Sequence, residues 1–312
     1  MISIKRILFP TDFSDSAERA FAIADSLAQK YDATLHVLHV IVWSSAHLSP
    51  AFLYGMSAAE QDQLLANARG HAGEKIAGTV PAERTYPHTV AQVTHISAPE
   101  AIVDYVDENK IDLVVMGTHG HGAIKRFFLG STTDKVVRLA ACPVITVHPD
   151  ADVADYKPRR LLVPVDFSEQ SPVLLRHAMH LAEDEGGSLD VIHVVPPQTV
   201  PSVYYTMEPL PVPYEEIRLR AEEHLSSLLR EIVGDAVPTR SFVTIGDPVT
   251  EITERARASG YDLLVVATHG YSGIKRAFLG SVAERVVRSA PCPVLVIKSH
   301  GDPILQSEDP VV

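Results

Sequence analysis

The sequence predicts an α/β protein made of two copies of one domain, each a parallel β-sheet with helices on both faces. Three observations predict it. The chain has 312 residues, which suits about two domains. The stretch 111–147 recurs at 261–297 with 20 of 37 positions identical. In each copy, apolar runs of strand length alternate with stretches of helical periodicity, and such alternation requires crossover connections between parallel strands.

The elements of the first copy follow from residue periodicity and from the signals that begin and end helices. A strand covers ILFPTD at 7–12. The first helix is predicted from Ser14 to about Tyr31, because a serine suits the N-cap and an apolar stripe follows it. The later elements are predicted as a strand at 34–42, a helix at 58–77, a strand near 84–94, a helix at 99–108, a strand at 112–117, a helix at 131–140 and a strand at 143–147.

The second copy repeats this order, and its matching segments set the domain boundaries. It begins with LLVPVD at 161–166 and includes a helix predicted at 214–233, a strand near 238–245 and a helix at 249–259. We predict domain 1 over 1–147, a linker over 148–160, domain 2 over 161–298 and a polar tail over 299–312.

Composition and charge exclude several classes of protein. Hydrophobic residues make up 46% of the chain, which argues against disorder. The net charge of −12 argues against non-specific binding to nucleic acids or anionic membranes. No run reaches the ~18 apolar residues of a membrane span, and the N-terminus shows no signal-peptide pattern. We therefore expect a soluble, cytoplasmic protein without membrane insertion.

The two cysteines fit structural positions better than chemical ones. Cys142 and Cys292 stand in matching contexts, one in each copy, without the spacing of a metal site or a disulfide framework. We interpret them as small buried residues that lead into strands.

An acidic residue follows the first strand of each copy. Asp12 and Asp166 stand where an open α/β sheet binds ligands, beyond the carboxyl ends of its strands. An acid at this position could cap the next helix, or it could accept a hydrogen bond from a ligand hydroxyl. Both interpretations remain open on the sequence.

Two glycine segments of the first copy form a spaced pattern. Gly117 and Gly120 enclose two residues, nine residues follow, and Gly130 then precedes Ser131 at the start of a predicted helix. Glycines permit close approach of a ligand to the backbone, and a helix N-terminus with free N–H groups attracts anions. The alternative is that these glycines serve tight turns alone.

These motifs resemble the universal stress protein family in its tandem form, from Ile7 to Val147 and from Leu161 to Ile297. The resemblance implies tandem flavodoxin-like, adenine nucleotide alpha-hydrolase-like domains, each with a five-stranded parallel sheet in the order 3-2-1-4-5. In that family the spaced glycine pattern marks the members that bind ATP.

The resemblance also implies roles for residues of the first copy. Asp12 would hold the ribose hydroxyls, Pro10 and Thr11 would lie beside the adenine, and the backbone of Val40 would contact the adenine edge. The residues implied to line the ribose and phosphates are Met116, Gly117, Gly120, Gly130, Ser131 and Thr132.

The second copy matches less well. Its corresponding positions are Pro164, Val165, Asp166, Val194, Val266, Ala267, Gly270, Gly280, Ser281 and Val282. Ala267 replaces the first glycine and adds a methyl group, and Val165 replaces the hydroxyl of Thr11. We therefore expect the second site to be the weaker one.

The histidines allow two interpretations each. His119 and His269 could contact phosphate or act as bases, although a loop-stabilising role is favoured. His36, His39 and His193, all in second strands, are interpreted as core histidines with satisfied hydrogen bonds. The sequence shows no P-loop lysine, nucleophile elbow or metal-ligand cluster.

The expected function is binding of ATP or another adenine nucleotide, with Mg²⁺ carried by the phosphates, in a stress-response or regulatory module. The alternatives are an adenine-nucleotide hydrolase with slow ATPase activity and a scaffold that acts through protein contacts. We also expect the two domains to pair within the chain and the chains to form homodimers, through 143–147 and 293–297, because apolar edge strands tend to pair.

Overall fold

The computed structural model describes residues 2–43, 56–119, 129–154, 156–197, 213–268, 279–298 and 304. The chain divides into two compact units, one of Met1–Tyr156 with Leu295–Val312 and one of Lys157–Val294. Among the described helices, none combines the length and apolar character that a membrane crossing requires.

The first copy of the repeat contains five strands and four helices in the described residues. In chain order they are β1 (Arg6–Pro10), α1 (Asp15–Tyr31), β2 (Thr34–Val42), α2 (Ala58–Ala77), β3 (His88–His95), α3 (Ala98–Glu108), β4 (Leu113–Gly117), α4 (Ser131–Leu139) and β5 (Val144–Val147).

The second copy repeats this order. Its described elements are β6 (Arg160–Pro164), α5 (Ser171–Asp184), β7 (Ser188–Val195), α6 (Tyr214–Ile232), β8 (Thr239–Ile245), α7 (Pro248–Ser259), β9 (Leu263–Ala267), α8 (Ser281–Ser289) and β10 (Val294–Ile297).

Both copies place these strands in the predicted parallel order. The first unit has the order β3-β2-β1-β4-β5, with Ile7 of β1 in register with Leu35 of β2 on one side and Leu113 of β4 on the other. The second copy repeats it as β8-β7-β6-β9, and β10 is its fifth strand along the chain. The predicted fold class is therefore confirmed. The strand order reverses between β1 and β4, where such sheets form a ligand crevice.

The central strands are apolar because helices cover both of their faces. Ile7, Leu8 and Phe9 of β1 are at most 1% exposed. This explains why β1 reads as a continuous apolar run and not as an alternating one.

Two strands begin later than the sequence predicts, and each begins directly after a proline. β3 begins at His88 and β8 at Thr239, after Pro87 and Pro238. Proline lacks the N–H group that a strand pair needs, so neither strand extends backward through it.

The cysteines occupy the buried positions that we predict for them. Cys142 and Cys292 are both free thiols and both buried. Burial raises the pKa of each thiol to about 12, so neither is a ready thiolate nucleophile at neutral pH.

A capping box fixes the start of α2. The Ser57 hydroxyl accepts a hydrogen bond from the Glu60 backbone N–H at 3.4 Å, and the Glu60 carboxylate accepts one from the Ser57 backbone N–H at 2.7 Å. The bond from the Ser57 backbone N–H and, second, a bond from the Ser57 hydroxyl to the same carboxylate at 2.8 Å hold the pKa of Glu60 below its usual value.

We expect Ser57→Ala to lower the free energy of unfolding by about 1 kcal/mol, because a helix N-terminal N–H loses its side-chain partner. Urea denaturation measures the loss. Ser57→Asp, which retains an acceptor, is the control and should stay near wild type. Equal losses of stability in both variants would show that the side-chain acceptor at position 57 does not stabilise the start of α2.

Candidate functional site

A cavity of about 500 Å³ lies at the carboxyl ends of β1, β2 and β4 in the first unit. Its size is within the usual range for small-molecule sites. Its lining residues are Pro10, Thr11, Asp12, Ala17, Leu38, Val40, Ala98, Ile102, Met116, Gly117, His119, Gly130, Ser131, Thr132 and Thr133.

The structure brings together the predicted residues of the first copy that it describes. Nine of these ten residues line this one cavity, although they come from four separate segments of the chain. The tenth, Gly120, lies outside the described residues.

The turn after β1 carries an acidic side chain into the cavity wall. Oδ1 of Asp12 accepts hydrogen bonds from the Ser14 backbone N–H at 3.1 Å and from the Ser14 hydroxyl at 2.6 Å. The N-cap of α1 is Ser14, whose hydroxyl accepts from the Ala17 N–H at 3.3 Å. Asp12 thus orients the capping residue and does not itself cap the helix.

The residue after this acid is held in a strained conformation. Phe13 has a φ of 62° and the equivalent Phe167 a φ of 61°. A side chain other than glycine in this region costs on the order of 1–3 kcal/mol and persists where neighbouring contacts fix it. The same strain therefore occurs beside both Asp12 and Asp166.

A hydrogen bond connects the two glycine segments. The backbone N–H of Gly130 donates to the Thr118 carbonyl at 2.8 Å, and the Thr133 hydroxyl donates to the Gly117 carbonyl at 2.8 Å. Gly130 is the N-cap of α4 and provides no side-chain cap. The first-turn residues of α4 line the cavity, and their N–H groups have no side-chain acceptor from the N-cap, which is the arrangement that suits an anion.

Gly117 permits a close approach between β4 and α1. A Cβ at this position would lie 2.2 Å from the Ser16 hydroxyl oxygen and 2.8 Å from the Ser16 carbonyl carbon. A side chain of any size therefore conflicts with the first turn of α1, quite apart from any ligand.

The second copy places its predicted residues at the corresponding strand ends. The Val165 N–H donates to the Ile192 carbonyl at 2.9 Å, as the Thr11 N–H does to the Leu38 carbonyl at 2.8 Å. The Gly280 N–H donates to the Thr268 carbonyl at 2.8 Å. Gly270 and His269 lie outside the described residues.

The helix after β6 differs from its counterpart. α5 begins at Ser171, which aligns with Ala17, whereas α1 begins two positions earlier at Asp15. Its N-cap, Gln170, makes no side-chain capping bond. The position equivalent to Ser16 is therefore Gln170, which precedes the first residue of α5, whereas Ser16 lies within α1.

Several residues of the cavity wall are not among those predicted from the sequence. Leu38 and Ile102 give the cavity an apolar wall, and Ala98 begins the helix after β3. Leu38 could have been found, because it lies two residues before Val40 on the same face of β2. Ile102 could not, since its place depends on how α3 packs on the sheet.

The histidines are bonded as core residues or loop residues. His36 Nδ1 is 3.0 Å from the Tyr105 hydroxyl, and His119 Nδ1 is 2.8 Å from the Thr118 hydroxyl. His119 also lines the cavity, so it bonds within its loop and lies beside the space for a ligand. Burial lowers the pKa of His36.

In each copy, a histidine in the second strand contacts the turn that follows the first strand. Nδ1 of His39 lies 2.8 Å from the Thr11 carbonyl oxygen, and Nδ1 of His193 lies 2.8 Å from the Val165 carbonyl oxygen. Burial lowers the pKa of His193, although the Val165 carbonyl and the Asp166 charge act in the opposite direction. Over the described residues, no three histidine, cysteine, aspartate or glutamate side chains are grouped as a metal site.

Comparison with known proteins identifies the family. The chain matches the universal stress protein family over residues 3–148 and 157–298. It is 30% identical over 296 residues to a universal stress protein of Mycolicibacterium smegmatis, covering 94% of this chain and 96% of the relative. It is 27% identical over 249 residues to universal stress protein Mb2028c of Mycobacterium bovis, covering 77% of each chain.

A solved structure shows the same fold. The crystal structure of a universal stress protein from Archaeoglobus fulgidus aligns with a TM-score of 0.63 at 20% identity, covering 96% of this chain and 98% of that one. Two matches to one family, together spanning nearly the whole sequence, agree with the repeat. The chain belongs to the universal stress protein family and carries two copies of its domain.

Proposed function

We propose that this protein binds ATP or another adenine nucleotide in the cavity of the first unit and acts as a cytoplasmic stress-response or regulatory module. The observation that carries the proposal is the composition of that cavity, which combines an apolar wall, an acid and an anion-binding helix start. A nucleotide presents these three chemistries in one molecule, as a base, a ribose and phosphates.

Each part of the cavity suits one part of the nucleotide. Leu38, Ile102 and Met116 provide apolar contact for a base. The Asp12 carboxylate is an acceptor for ribose hydroxyls, and the N-terminus of α4 provides N–H donors for phosphate oxygens. Mg²⁺ would be carried by the phosphates, with the hydroxyls of Ser131 and Thr132 nearby in the cavity wall.

The corresponding positions of the second copy are proposed as a second, weaker site. Ala267 and Val165 stand in place of Gly117 and Thr11, and Ala283 stands in place of Thr133. The second copy thus lacks the hydroxyl that bonds the Gly117 carbonyl in the first.

Calorimetry tests the proposal. ATP titrated into nucleotide-stripped protein should bind, and Asp12→Asn should weaken the tighter site by about 10–100-fold, because a charged hydrogen-bond acceptor is replaced by a neutral amide. Asp166→Asn is the matched control and should leave that site unchanged. Absence of ATP binding at millimolar concentration would overturn the proposal.

We propose binding as the main activity, with ATP turnover slower than about 1 s⁻¹, which is the lower end of ordinary enzyme rates. Rapid hydrolysis requires a base positioned on the attacking water. Among the described lining residues, those with a carboxylate or an imidazole group are Asp12 and His119. Faster turnover would favour the adenine-nucleotide hydrolase instead.

We also propose that the chains form homodimers and that the two domains of one chain pair with one another. The support is the apolar, β-branched character of the fifth strands, since such strands tend to pair. Light scattering at micromolar concentration should give the mass of two chains. A single-chain mass would overturn the homodimer.

A further inference from the structure

Two histidines make the same pair of contacts in the two copies of the domain. His39 and His193 each bond, through Nδ1, the carbonyl oxygen of the residue before the acid, and both distances are 2.8 Å. A carbonyl oxygen can only accept, so Nδ1 carries the proton and donates it. This assigns one tautomer to each neutral ring.

Each histidine ring also packs against the ring of the strained phenylalanine that follows the acid. The rings of His39 and Phe13 lie 4.6 Å apart at an interplanar angle of 30°. Those of His193 and Phe167 lie 4.1 Å apart at 28°. One imidazole therefore contacts the residues on both sides of Asp12, and another those on both sides of Asp166.

Phe13 and Phe167 both contact the histidine of the second strand, but their other neighbours differ. Lys75 Nζ lies 5.5 Å from the Phe13 ring centre, whereas Phe167 meets the His224 ring at 4.5 Å. The residue whose carbonyl is bonded also differs, being Thr11 in one copy and Val165 in the other. The histidine contact thus accompanies the acid and its strained neighbour, and not the surrounding side chains.

We propose that His39 is a positioning residue, which fixes the backbone on both sides of Asp12 so that its carboxylate is set to accept hydrogen bonds from the two vicinal hydroxyls of a ribose. His193 has the same role for Asp166. This inference rests on the proposed nucleotide binding. It adds that discrimination between ribose and hydroxyl-free sugars depends on a histidine outside the cavity lining.

The test compares the affinities for ATP and for 2′,3′-dideoxyATP in the full chain. The wild type should prefer ATP by about tenfold or more, the effect of a hydrogen bond to a charged acceptor. His39→Phe retains a ring against Phe13 and removes the donor, so the preference should fall to about twofold or less. His39→Asn, which restores an N–H donor, should return it to within about threefold of wild type.

His36→Phe is the matched control. It makes the same change in the same strand, and it removes the hydrogen bond to Tyr105 without reaching the turn at Asp12. A purely structural role for His39 predicts that both phenylalanine variants weaken the two nucleotides equally. The positioning role predicts a changed ratio in His39→Phe alone.

A second measurement uses the wild-type protein alone, so it does not depend on whether a variant folds. Nitrogen NMR of the wild type should show His39 protonated at Nδ1, and its bonded proton should shift with ATP more than with 2′,3′-dideoxyATP. Equal shifts, or an unprotonated Nδ1, would overturn the inference. If the wild type binds ATP selectively and His39→Phe keeps that selectivity, the inference alone fails. If the wild type binds neither nucleotide, the proposed function fails first.

Discussion

Replacing Gly117 by alanine is expected to destabilise the first unit and to weaken its ligand site at the same time. The new Cβ would lie 2.2 Å from the Ser16 hydroxyl oxygen, 2.8 Å from its carbonyl carbon and 2.9 Å from its carbonyl oxygen. Two of these atoms are backbone, so a side-chain rotation cannot relieve the overlap. We expect the free energy of unfolding to fall by about 1–3 kcal/mol, the usual cost of overpacking.

The effect on the site follows from what the first turn of α1 contacts. Ala17 lines the cavity, and the Ser16 hydroxyl lies 3.5 Å from the His119 backbone N–H. Displacing that turn moves two parts of the cavity wall. ATP affinity, measured by calorimetry, should therefore fall about tenfold or more, which corresponds to 1.4 kcal/mol or more.

Matched variants separate local overlap from a general intolerance of alanine. Gly70 lies within α2, and a Cβ there would meet nothing within 4 Å. Gly70→Ala should stabilise the protein by about 0.5–1 kcal/mol, because alanine favours the helix. Ser16→Ala added to Gly117→Ala should recover part of the loss, since it removes one of the three overlapping atoms. Wild-type stability in Gly117→Ala would contradict this account.

The two copies show why the sequence predicts the position of this glycine but not its full role. The repeat and the spacing identify Gly117 as special, and alignment shows that Ala267 replaces it. Neither shows that a side chain at position 117 would overlap Ser16 in the first turn of α1, 101 positions away in the sequence. The later start of α5 at Ser171 does have a local signal, because Pro172 lies in its first turn and a proline is tolerated there but not deeper in a helix.

The strands and helices could be predicted because their causes are local. Apolar runs, N-cap residues and prolines act over a few residues, so the predicted α2 agrees with Ala58–Ala77 in the structure. The cavity edges at the strand ends could also be predicted, since parallel strands end at one edge of the sheet. Contacts between distant segments could not, and the hydrogen bonds of two buried carboxylates are the clearest examples.

Each unit contains a carboxylate that is bonded by an arginine and a tyrosine. In the first unit, Asp25 of α1 accepts from Arg84 at 2.6 Å and from Tyr86 at 2.5 Å. In the second, the carboxylate is Asp190 of β7, with Arg240 and Tyr261 as its donors. The two clusters do not align in the repeat, because position 36 aligned with Asp190 is a histidine. The repeated pattern in the sequence therefore gives no sign of either.

Asp190 is expected to make a pH-dependent contribution to stability, because its side chain is 3% exposed and its carboxylate accepts several hydrogen bonds. Arg240 donates from Nε to Oδ1 at 2.9 Å and from Nη2 to Oδ2 at 2.6 Å, and the Tyr261 hydroxyl donates to Oδ2 at 2.5 Å. Burial acts to raise the pKa of Asp190, but the hydrogen bonds from Arg240 and Tyr261 outweigh it, so the pKa lies below its ordinary value of 3.8.

A lowered pKa in the folded state fixes the direction of the pH dependence. The unfolded chain takes up the proton first as pH falls, so the contribution of Asp190 is present above about pH 4 and is lost as pH falls through the folded-state pKa. We expect Asp190→Asn to lower the free energy of unfolding at pH 7 by about 2–3 kcal/mol, the scale of charged hydrogen bonds. The difference from wild type should then narrow below about pH 4.

Urea denaturation of both proteins at intervals from neutral to strongly acidic pH measures this difference directly. Asp235→Asn changes an exposed aspartate of the same unit and should leave stability nearly unchanged at every pH. Tyr261→Phe keeps the ring and removes one donor, so it should raise the pKa of Asp190 and move the acid loss to higher pH. A gap between wild type and Asp190→Asn that stays constant into strong acid would show that the ionised carboxylate contributes nothing, and that its buried position matters through shape alone.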